Sequence, residues 1–354
     1  MPAHTEDASY TIESVPSIES IWQEWSELAE LADNVFLTPE WASIWWRHFG
    51  QGHELCLSTC RNEAGDLVAI VPLYYWRRRP IRVLRFLGHG PGDELGPVVA
   101  PDDRPLAAAG LLRALERERY DVLLAEQLPG SGEWSSLLPG NRALSQGDSP
   151  ILRLDYEDWD EYLRSRSKRV RYGMRHQEKD LHDSFRVRFR LADDPERLGE
   201  DLDTFFRLHR EQWIEAPTAF DGPENAFQRE FISTAFERGW LRLWLLELDD
   251  RPVSVVLHYR FADVEYGYQI TRDRAWDRFS VGSVVRNHAI RSALEEGMRE
   301  FRFLRGGERY KARYATGDRG LETVGLARGL IGQVALLGAE RYLSIRRSLR
   351  ARSE

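Results

Sequence analysis

The chain has 354 residues, room for about two domains. Its 49 basic and 57 acidic side chains leave a formal charge of -8, which excludes a generally basic protein that coats nucleic acid but not a local basic site. Apolar residues make up 42% of the chain, enough for ordinary cores and too many for wholesale disorder. Cys56 and Cys60 are the only cysteines. They exclude a disulfide framework and a structural zinc site and read as reduced thiols on one face of a strand. The 12 tryptophans point to large aromatic packing or aromatic-lined clefts. The opening MPAHTEDASY is polar and acidic, unlike a secretory leader. The longest apolar stretch, Val324 to Ala339, is broken by Arg328 and by glycines, too short to span a bilayer. A soluble, cytoplasmic protein is expected.

In chain order, Ser17 to Leu31 reads as a helix with Ile18, Ile21, Trp22, Trp25 and Leu28 on one face. Thr38 caps a second helix, Pro39 suits its first turn and Gly50 stops it. LCLSTCRNEAGDLVAIVPLYYWRR reads as a hairpin turning around Ala64-Gly65-Asp66. VLRFLG is a short strand running into the glycine-rich loop HGPGDELGP. Pro105 to Arg119 reads as an amphipathic helix and YDVLLAEQL as a buried strand. Pro129 to Pro150, rich in Gly, Ser and Pro, reads as a linker. EDWDEYLRSRSKRVRYGMRHQEKDLH is expected to form one long, basic helix. A strand (Phe185 to Leu191) and two helices (Asp201 to Glu215, Phe227 to Arg238) follow. LRLWLLELDDRPVSVVLHYR is a second hairpin, VEYGYQITRD a third strand, and DRFSVGSVVRNHAIRSALEEG a loop and helix. MREFRFLRG is a short strand, and from about Thr323 the tail reads as a helix with outward arginines.

The hairpins overlay when 185 is added to the residue number, so that Leu67 to Val71 lies on Pro252 to Val256. Each is followed by a strand, a glycine-containing loop, a helix and a buried strand, which reads as an internal repeat. The expected domains are 1–150 and 151–354, the second carrying the basic and terminal helices.

Strand, glycine loop and helix in that order can hold a diphosphate. The loop and the helix start offer free N–H groups and the positive end of a dipole. In the second repeat this is Arg278 to Ser283, where Gly282 allows close approach and Ser280 or Ser283 can cap. The strand Val264 to Ile270 can face an extended ligand or present Tyr266 and Tyr268 to a cleft. Two basic islands stand out: Arg164 to Lys179, where Lys168, Arg171 and Arg175 share a helix face, and FRFLRGGERYKAR, a strand-end loop with Arg302, Arg305, Arg309, Lys311 and Arg313. Arg and Lys on one face suit phosphate or carboxylate. There is no G-x-S-x-G and no metal-ligand histidine spacing. His209 and His258 are each able to serve as a general base or as a core residue. The implied chemistry is substrate positioning and proton transfer, without covalent catalysis or a metal.

These residues resemble a known family. The run W-x3-WWRHFG, then DLVAIVPLYYWRR, VLRFLG, YDVLLAEQLP, SKRVRYGMRHQEKDL, FRLHREQW and EEGMREFRFLRGGERYKARYA resembles the CelD/BcsL-like branch (cellulose biosynthesis acetyltransferase) of the GNAT superfamily, related to FemAB-type tandem-GNAT transferases. The resemblance covers about residues 20 to 320. It implies an α/β (α+β) fold of two GNAT-like lobes, each a mixed, mostly antiparallel sheet flanked by helices. The second would bind acetyl-CoA or another acyl-CoA, its pyrophosphate at Phe279, Ser280, Val281, Gly282, Ser283 and Val284 and its pantetheine beside Val264 to Ile270. Glu308 and His258 are then base candidates and Tyr310 or Tyr268 the acid. Lys311, placed with the catalytic group, and Arg313 would hold an anionic substrate or the CoA phosphates, and Lys168, Arg171 and Arg175 would clamp a carboxylate or phosphate between the lobes. The implied acceptor is an amine, such as an amino sugar or another envelope or exopolysaccharide precursor, with no DNA partner. Two alternatives stay open: a FemAB-like transferase that uses aminoacyl-tRNA, and a non-catalytic interaction protein on a decayed fold. Arg346, Arg347, Arg350 and Arg352 raise contact of the last helix with a membrane surface.

Overall fold

The computed structural model describes residues 10–77, 79–213, 220 and 222–350, the last nine without their side chains. Glu215 and the four arginines of the tail, Arg346, Arg347, Arg350 and Arg352, lie outside the described residues or side chains. The chain divides into two compact units, Met1–Asp148 with Arg319–Glu354, and Ser149–Asp318. The first unit runs β1 (Thr11–Val15), α1 (Trp22–Leu31), α2 (Pro39–Phe49), β2 (Glu54–Arg61), β3 (Leu67–Arg77), β4 (Val83–Phe86), α3 (Arg104–Arg117), β5 (Val122–Pro129), α4 (Glu133–Leu137) and β6 (Arg142–Gly147). The second runs β7 (Pro150–Arg153), α5 (Trp159–Ser165), α6 (Lys168–Ser184), β8 (Val187–Leu191), α7 (Leu198–Gln212), α8 (Pro223–Glu237), β9 (Leu241–Leu248), β10 (Arg251–Phe261), β11 (Val264–Arg272), α9 (Val281–Glu295), β12 (Glu300–Arg302) and β13 (Gly317–Asp318). β14 (Leu321–Ala327) and α10 (Gly329–Arg350) return to the first.

Local chemistry sets several of these elements. Thr38 Oγ1 accepts from Trp41 N at 3.2 Å, Pro39 occupies the first turn of α2 and Gly50 closes it, a start and stop read from residue types alone. α3 buries Ala107, Leu111 and Leu115 against Ala69, Val71 and Leu73 of β3, as its helical period requires. Cys60 is fully buried on β2, where desolvation pushes its thiol up to about 11, and Cys56 is half-buried. Neither is in a disulfide.

Each unit holds a seven-stranded mixed sheet, ordered β1-β2-β3-β4-β5-β14-β6 in the first and β8-β9-β10-β11-β12-β7-β13 in the second. Position by position the two agree. The fourth and fifth strands are parallel in each (β4 with β5, β11 with β12) and the other neighbours antiparallel. Two helices separate the first and second strands, and one helix, α3 or α9, crosses between the parallel pair. β3 and β10 hold the same place and are both 11 residues long. The repeat seen in the hairpins therefore extends through the sheets.

Four expectations are corrected. The stretch Pro129 to Pro150 is no linker: α4 and β6 lie within it, and β6 pairs with β14. The tail is not helical from Thr323, because Leu321–Ala327 is the strand β14, hydrogen-bonded between β5 and β6. That pairing places residues from Arg319 onward in the first unit rather than in a domain running 151–354. The long basic helix is broken at Arg166–Ser167. Ser167 Oγ caps α6 by accepting from Val170 N at 3.3 Å, while Arg166 donates to the carbonyls of Tyr314 and Ala315, both at 3.2 Å.

In the second unit α9 packs Val281, Val284, Val285 and Ala289 against Leu246, Val253 and Val256. His288 lies beside this core, stacked on Phe189 at 4.0 Å and edge-on to Trp244 at 4.6 Å, its Nε2 without a partner. Desolvation, aided by the Arg291 charge, lowers its pKa to about 4. The unfolded chain takes up this proton near pH 6.5. Stability is therefore present above that value and lost as the pH falls toward about 4. Urea unfolding should show about 2 kcal/mol less stability at pH 5 than at pH 7 from this group, a difference that His288→Phe removes.

Candidate active site

The second sheet divides at one point. β11 pairs with β12 only through Val264, Glu265 and Tyr266. Beyond Tyr266 the edge of β11 from Gly267 to Arg272 makes no ladder with β12, while its other edge stays paired with β10. Arg302, 2% exposed, holds the fork: its Nε donates to Glu300 at 2.6 Å and its Nη1 to the Tyr266 hydroxyl at 3.2 Å. The ring of Phe301 fills the space beside Gly267, where a Cβ would lie 2.9 Å from it. An irregularity between Leu257 and His258 leaves Tyr268 as the extra residue of β11. Along the open edge Ile270 N donates to Gln269 Oε1 and Arg272 N to Gln212 Oε1, both at 2.9 Å, so an extended ligand would use the remaining backbone groups of this edge or displace these two amide side chains.

The start of α9 faces this region. Ser280 is left-handed (φ 55°) and its side chain caps nothing. Ser283 N and Val284 N both turn back to Ser280 O, so Val281 N and Gly282 N are the first-turn amides with no intrahelical acceptor. A Cβ at Gly282 would meet Arg272 Cδ at 3.3 Å and Ile270 Cδ1 at 3.4 Å, so β11 runs directly past this turn. Val281 and Val284 point into the core, and Phe279 packs on Phe185 at 5.1 Å. Of the segment Phe279 to Val284, the backbone amides and Ser283 are thus what a ligand can use. Arg272, Arg274 and Arg278 cluster here: Arg272 Nε donates to Asp277, Arg274 to Gln212 O, and Arg278 lies over the Phe279 ring. Arginines, amides and the positive end of the helix suit a diphosphate.

The corresponding place in the first unit is filled. Leu95 N donates to Gln127 O of β5 at 3.0 Å, Ile70 and Val98 exchange backbone bonds, and Asn34 Nδ2 donates to Glu94 O. The turn leading into α3 carries Asp102 and Asp103, which favour the helix dipole themselves and repel an anion.

The loop after β12 carries the second basic island. Tyr310 lies beneath Arg286 of α9, whose guanidinium carbon is 3.9 Å from the ring centroid. Burial raises its phenol pKa, and Arg286 opposes that. Arg286 is one turn beyond Gly282, so Tyr310 meets the same helix end. Tyr314 donates to Asn287 Oδ1 at 2.7 Å. Lys311 is corrected: it is 3% exposed, and its ammonium donates to Leu304 O at 3.1 Å and Arg305 O at 2.8 Å and pairs with Glu308 at 2.9 Å. All three protons are engaged, so Lys311 fixes the turn at left-handed Leu304 (φ 59°) and does not hold a substrate anion. Glu308 is exposed, and its carboxylate lies where a Cβ on Gly306 would be. Arg313 is exposed.

His258 and Tyr268 do not share a face. His258, 3% exposed, has Nδ1 2.9 Å from Glu265 Oε1 and its ring edge-on to Phe301, on the α9 side. Tyr268 accepts from Gln228 Nε2 of α8 at 2.8 Å and lies among Phe220 and Tyr259 on the other side. That side also holds His209, whose Nε2 is 3.4 Å from Gln269 Nε2. The buried Gln228 Oε1 and Tyr259 hydroxyl have no partner among the described residues. Lys168, Arg171 and Arg175 do come together. With Tyr172, His176 and Lys179 they line an open groove along α6, where Tyr172 stacks on His176 at 5.1 Å and Arg175 pairs with Asp160 at 2.7 Å. Sequence reasoning missed Glu265, Gly267, Arg272, Arg274, Gln228 and Arg286. Arg272, Arg274 and Arg278 were visible as three arginines between a strand and a helix. Among the described residues no cluster of His, Cys, Asp and Glu could hold a metal ion.

Residues 167–312 match the Acetyltransferase (GNAT) domain. No curated protein sequence matches the chain. In structure it is similar to FemX, at 12% identity and TM-score 0.66, covering 93% of this chain and 100% of FemX. It is also similar to a conserved protein of unknown function from Bacteroides thetaiotaomicron (10%, TM-score 0.57, 90% and 100% covered). A third similar structure is L-PGS from Bacillus licheniformis (14%, TM-score 0.54, 80% and 88% covered). Residues 167–312 thus match a GNAT acetyltransferase domain, in a chain whose two units share one sheet topology.

Proposed function

We propose that the chain moves an acetyl or other acyl group from acyl-CoA to an amine, using the second unit. One observation carries this reading: the edge of β11 left open beyond Tyr266 runs past the two free amides at the start of α9. The diphosphate would sit on Val281 N and Gly282 N, with Arg272, Arg274 and Arg278 nearby, and the pantetheine along Gly267 to Arg272. The acceptor nitrogen attacks the thioester carbon. A C–N bond forms as the C–S bond breaks, the nitrogen loses a proton to a base, and the leaving thiolate gains one from an acid. His258 is the base this reading prefers. It stands opposite Gly267, the first residue past the fork, and Glu265 orients its ring. Tyr310, held by Arg286 beside α9, is the acid. Glu308, ion-paired with Lys311, is the weaker base candidate. Tyr268, on the α8 side with Gln228 and Tyr259, belongs to the acceptor's surroundings. Those amides and hydroxyls suit a hydroxyl-rich amine, such as an amino sugar or an envelope precursor.

A FemAB-like use of aminoacyl-tRNA is the second reading, favoured by the row of Lys168, Arg171, Arg175 and Lys179, all but the half-buried Arg171 exposed, beside the Tyr172–His176 stack, an arrangement that suits phosphates and a base. Calorimetry separates the two. Saturable heat with acetyl-CoA supports the first, and no heat at millimolar ligand overturns it. Binding of tRNA that weakens steeply with salt supports the second.

A further inference from the structure

The helix α10 has two apolar faces, and the first unit uses only one. Leu336, 1% exposed, packs with Val122 and Leu144, and Gly332 lies against the Asp121 carbonyl, where a Cβ would be only 2.0 Å away. On the other side Leu330, Ile331, Val334 and Leu337 are 81, 65, 70 and 39% exposed. At 3.6 residues per turn these four fall within an arc of about 120°. Elsewhere among the described residues the exposed large apolar side chains are Leu31, Tyr172 and Trp213, on separate elements. An uncovered apolar stripe of this kind marks a contact surface.

The foot of the stripe is cationic. Leu330 and Ile331 form one wall of an open cleft of about 470 Å³ that Arg117, Arg119 and Arg328 also line. Arg117 donates to Ile12 O at 2.6 Å and Arg328 to Glu118 O at 2.9 Å, which orients both guanidinium groups and leaves them further donors. Arg82 lies there too, paired with Asp121 at 2.8 Å, and Glu116 and Glu118 share the rim. Past Glu340, which pairs with Arg142, the sequence carries Arg341, Arg346, Arg347, Arg350 and Arg352, with no further acid until Glu354, in a chain whose net charge is -8.

We infer that this face of α10 docks on a bilayer bearing anionic lipids. The apolar stripe would enter the acyl boundary, and the arginines of the cleft would meet lipid phosphates. A second copy is a poor occupant. A two-fold contact would set these arginines against themselves, and four side chains over about two turns cover far less than a stable dimer buries. The inference rests on the first unit alone and is independent of acyl transfer.

The test is co-flotation of the full chain with vesicles of phosphatidylcholine alone or mixed with phosphatidylglycerol. The protein should float with the mixed vesicles, less so in high salt, and poorly with phosphatidylcholine. The triple variant Leu330→Gln, Ile331→Gln, Val334→Gln changes exposed residues and should keep the wild-type melting temperature while partitioning falls at least about tenfold. Arg119→Gln with Arg328→Gln should erase the preference for anionic vesicles. Failure of the wild type to float with mixed vesicles overturns the inference, and so does undiminished floating of the triple variant. Concentration-dependent self-association abolished by the triple variant would show a protein interface instead and overturn it equally.

Discussion

Gly282→Glu is expected to weaken acetyl-CoA binding by about a hundredfold while leaving the fold intact. The backbone at Gly282 is helical, not left-handed, so a side chain is conformationally allowed there. A glutamate in the first helical turn even favours the dipole. Gly282 is buried, and the space a Cβ would take is bordered by side-chain carbons, Arg272 Cδ at 3.3 Å and Ile270 Cδ1 at 3.4 Å, which need give by only a few tenths of an ångström. What the variant cannot do is accept a diphosphate. Its carboxylate takes up the amides of Val281 and Gly282 and sets a third negative charge within a few ångströms of two others. At an effective dielectric near 20 such a contact opposes binding by up to about 4 kcal/mol, and a loss of about 2.7 kcal/mol gives the hundredfold change. Gly282→Ala is the control, losing less than about tenfold in affinity and gaining up to about 1 kcal/mol in helix propensity. The measurement is calorimetric titration of the three proteins. Equal affinity of Gly282→Glu and wild type would falsify the placement of the diphosphate at this turn.

How far this site was legible in the sequence depends on the range of the forces that build it. The start and stop of α2 were readable because Thr38, Pro39 and Gly50 act within a few residues of themselves. The hairpins were readable because two apolar runs flank a short turn, and the start of α9 because glycine and serine stand just ahead of an apolar helical run. β6 was not. RALSQG buries only Leu144, and its strand form comes from β14, far along the chain. The break between α5 and α6 was hidden for a similar reason. Ser167 in a run of arginines looks like any helical serine until Arg166 is seen binding the carbonyls of Tyr314 and Ala315. Lys311 inverted the usual rule that lysine is solvated, because three carbonyl and carboxylate acceptors of its own loop close around it. The fork at Tyr266 is a property of where β12 ends, not of β11, so no reading of VEYGYQITR alone could supply it. The difference between the repeats follows the same logic. Both have the parallel pair, but in the first a loop with Leu95 and Glu94 occupies the crevice and Asp102 and Asp103 precede the helix, whereas in the second Arg272, Arg274 and Arg278 stand there with Asp273 and Asp277.

Arg190→Met is expected to cost about 3–5 kcal/mol of stability in the second unit, the loss typical of stripping one member from a buried ion cluster. Arg190 on β8 donates through both Nη atoms to Asp201 of α7 at 2.6 Å and through Nε to Glu247 of β9 at 2.9 Å. The three side chains are 11, 3 and 8% exposed. Asp201 and Glu247 together hold the guanidinium pKa above its ordinary value, with the Asp201 hydrogen bonds the larger influence. Methionine fills much of the same volume but strips Asp201 of its guanidinium and leaves Glu247 only the exposed Arg188, 3.9 Å away. For a unit of this size the melting temperature should fall by about 10 °C. Adding Asp201→Asn and Glu247→Gln should recover most of that, since the charges rather than the packing carry the cost. A loss below about 1 kcal/mol in the single variant would mean water already shields the cluster. The variant also separates scaffold from site. α7 reaches the candidate site through Gln212, which accepts from Arg272 N at 2.9 Å, yet Arg190 lies at the other end of that helix. Below its melting point Arg190→Met should therefore bind acetyl-CoA as the wild type does, where Gly282→Glu melts normally and does not bind. Each substitution is thus the control for the other.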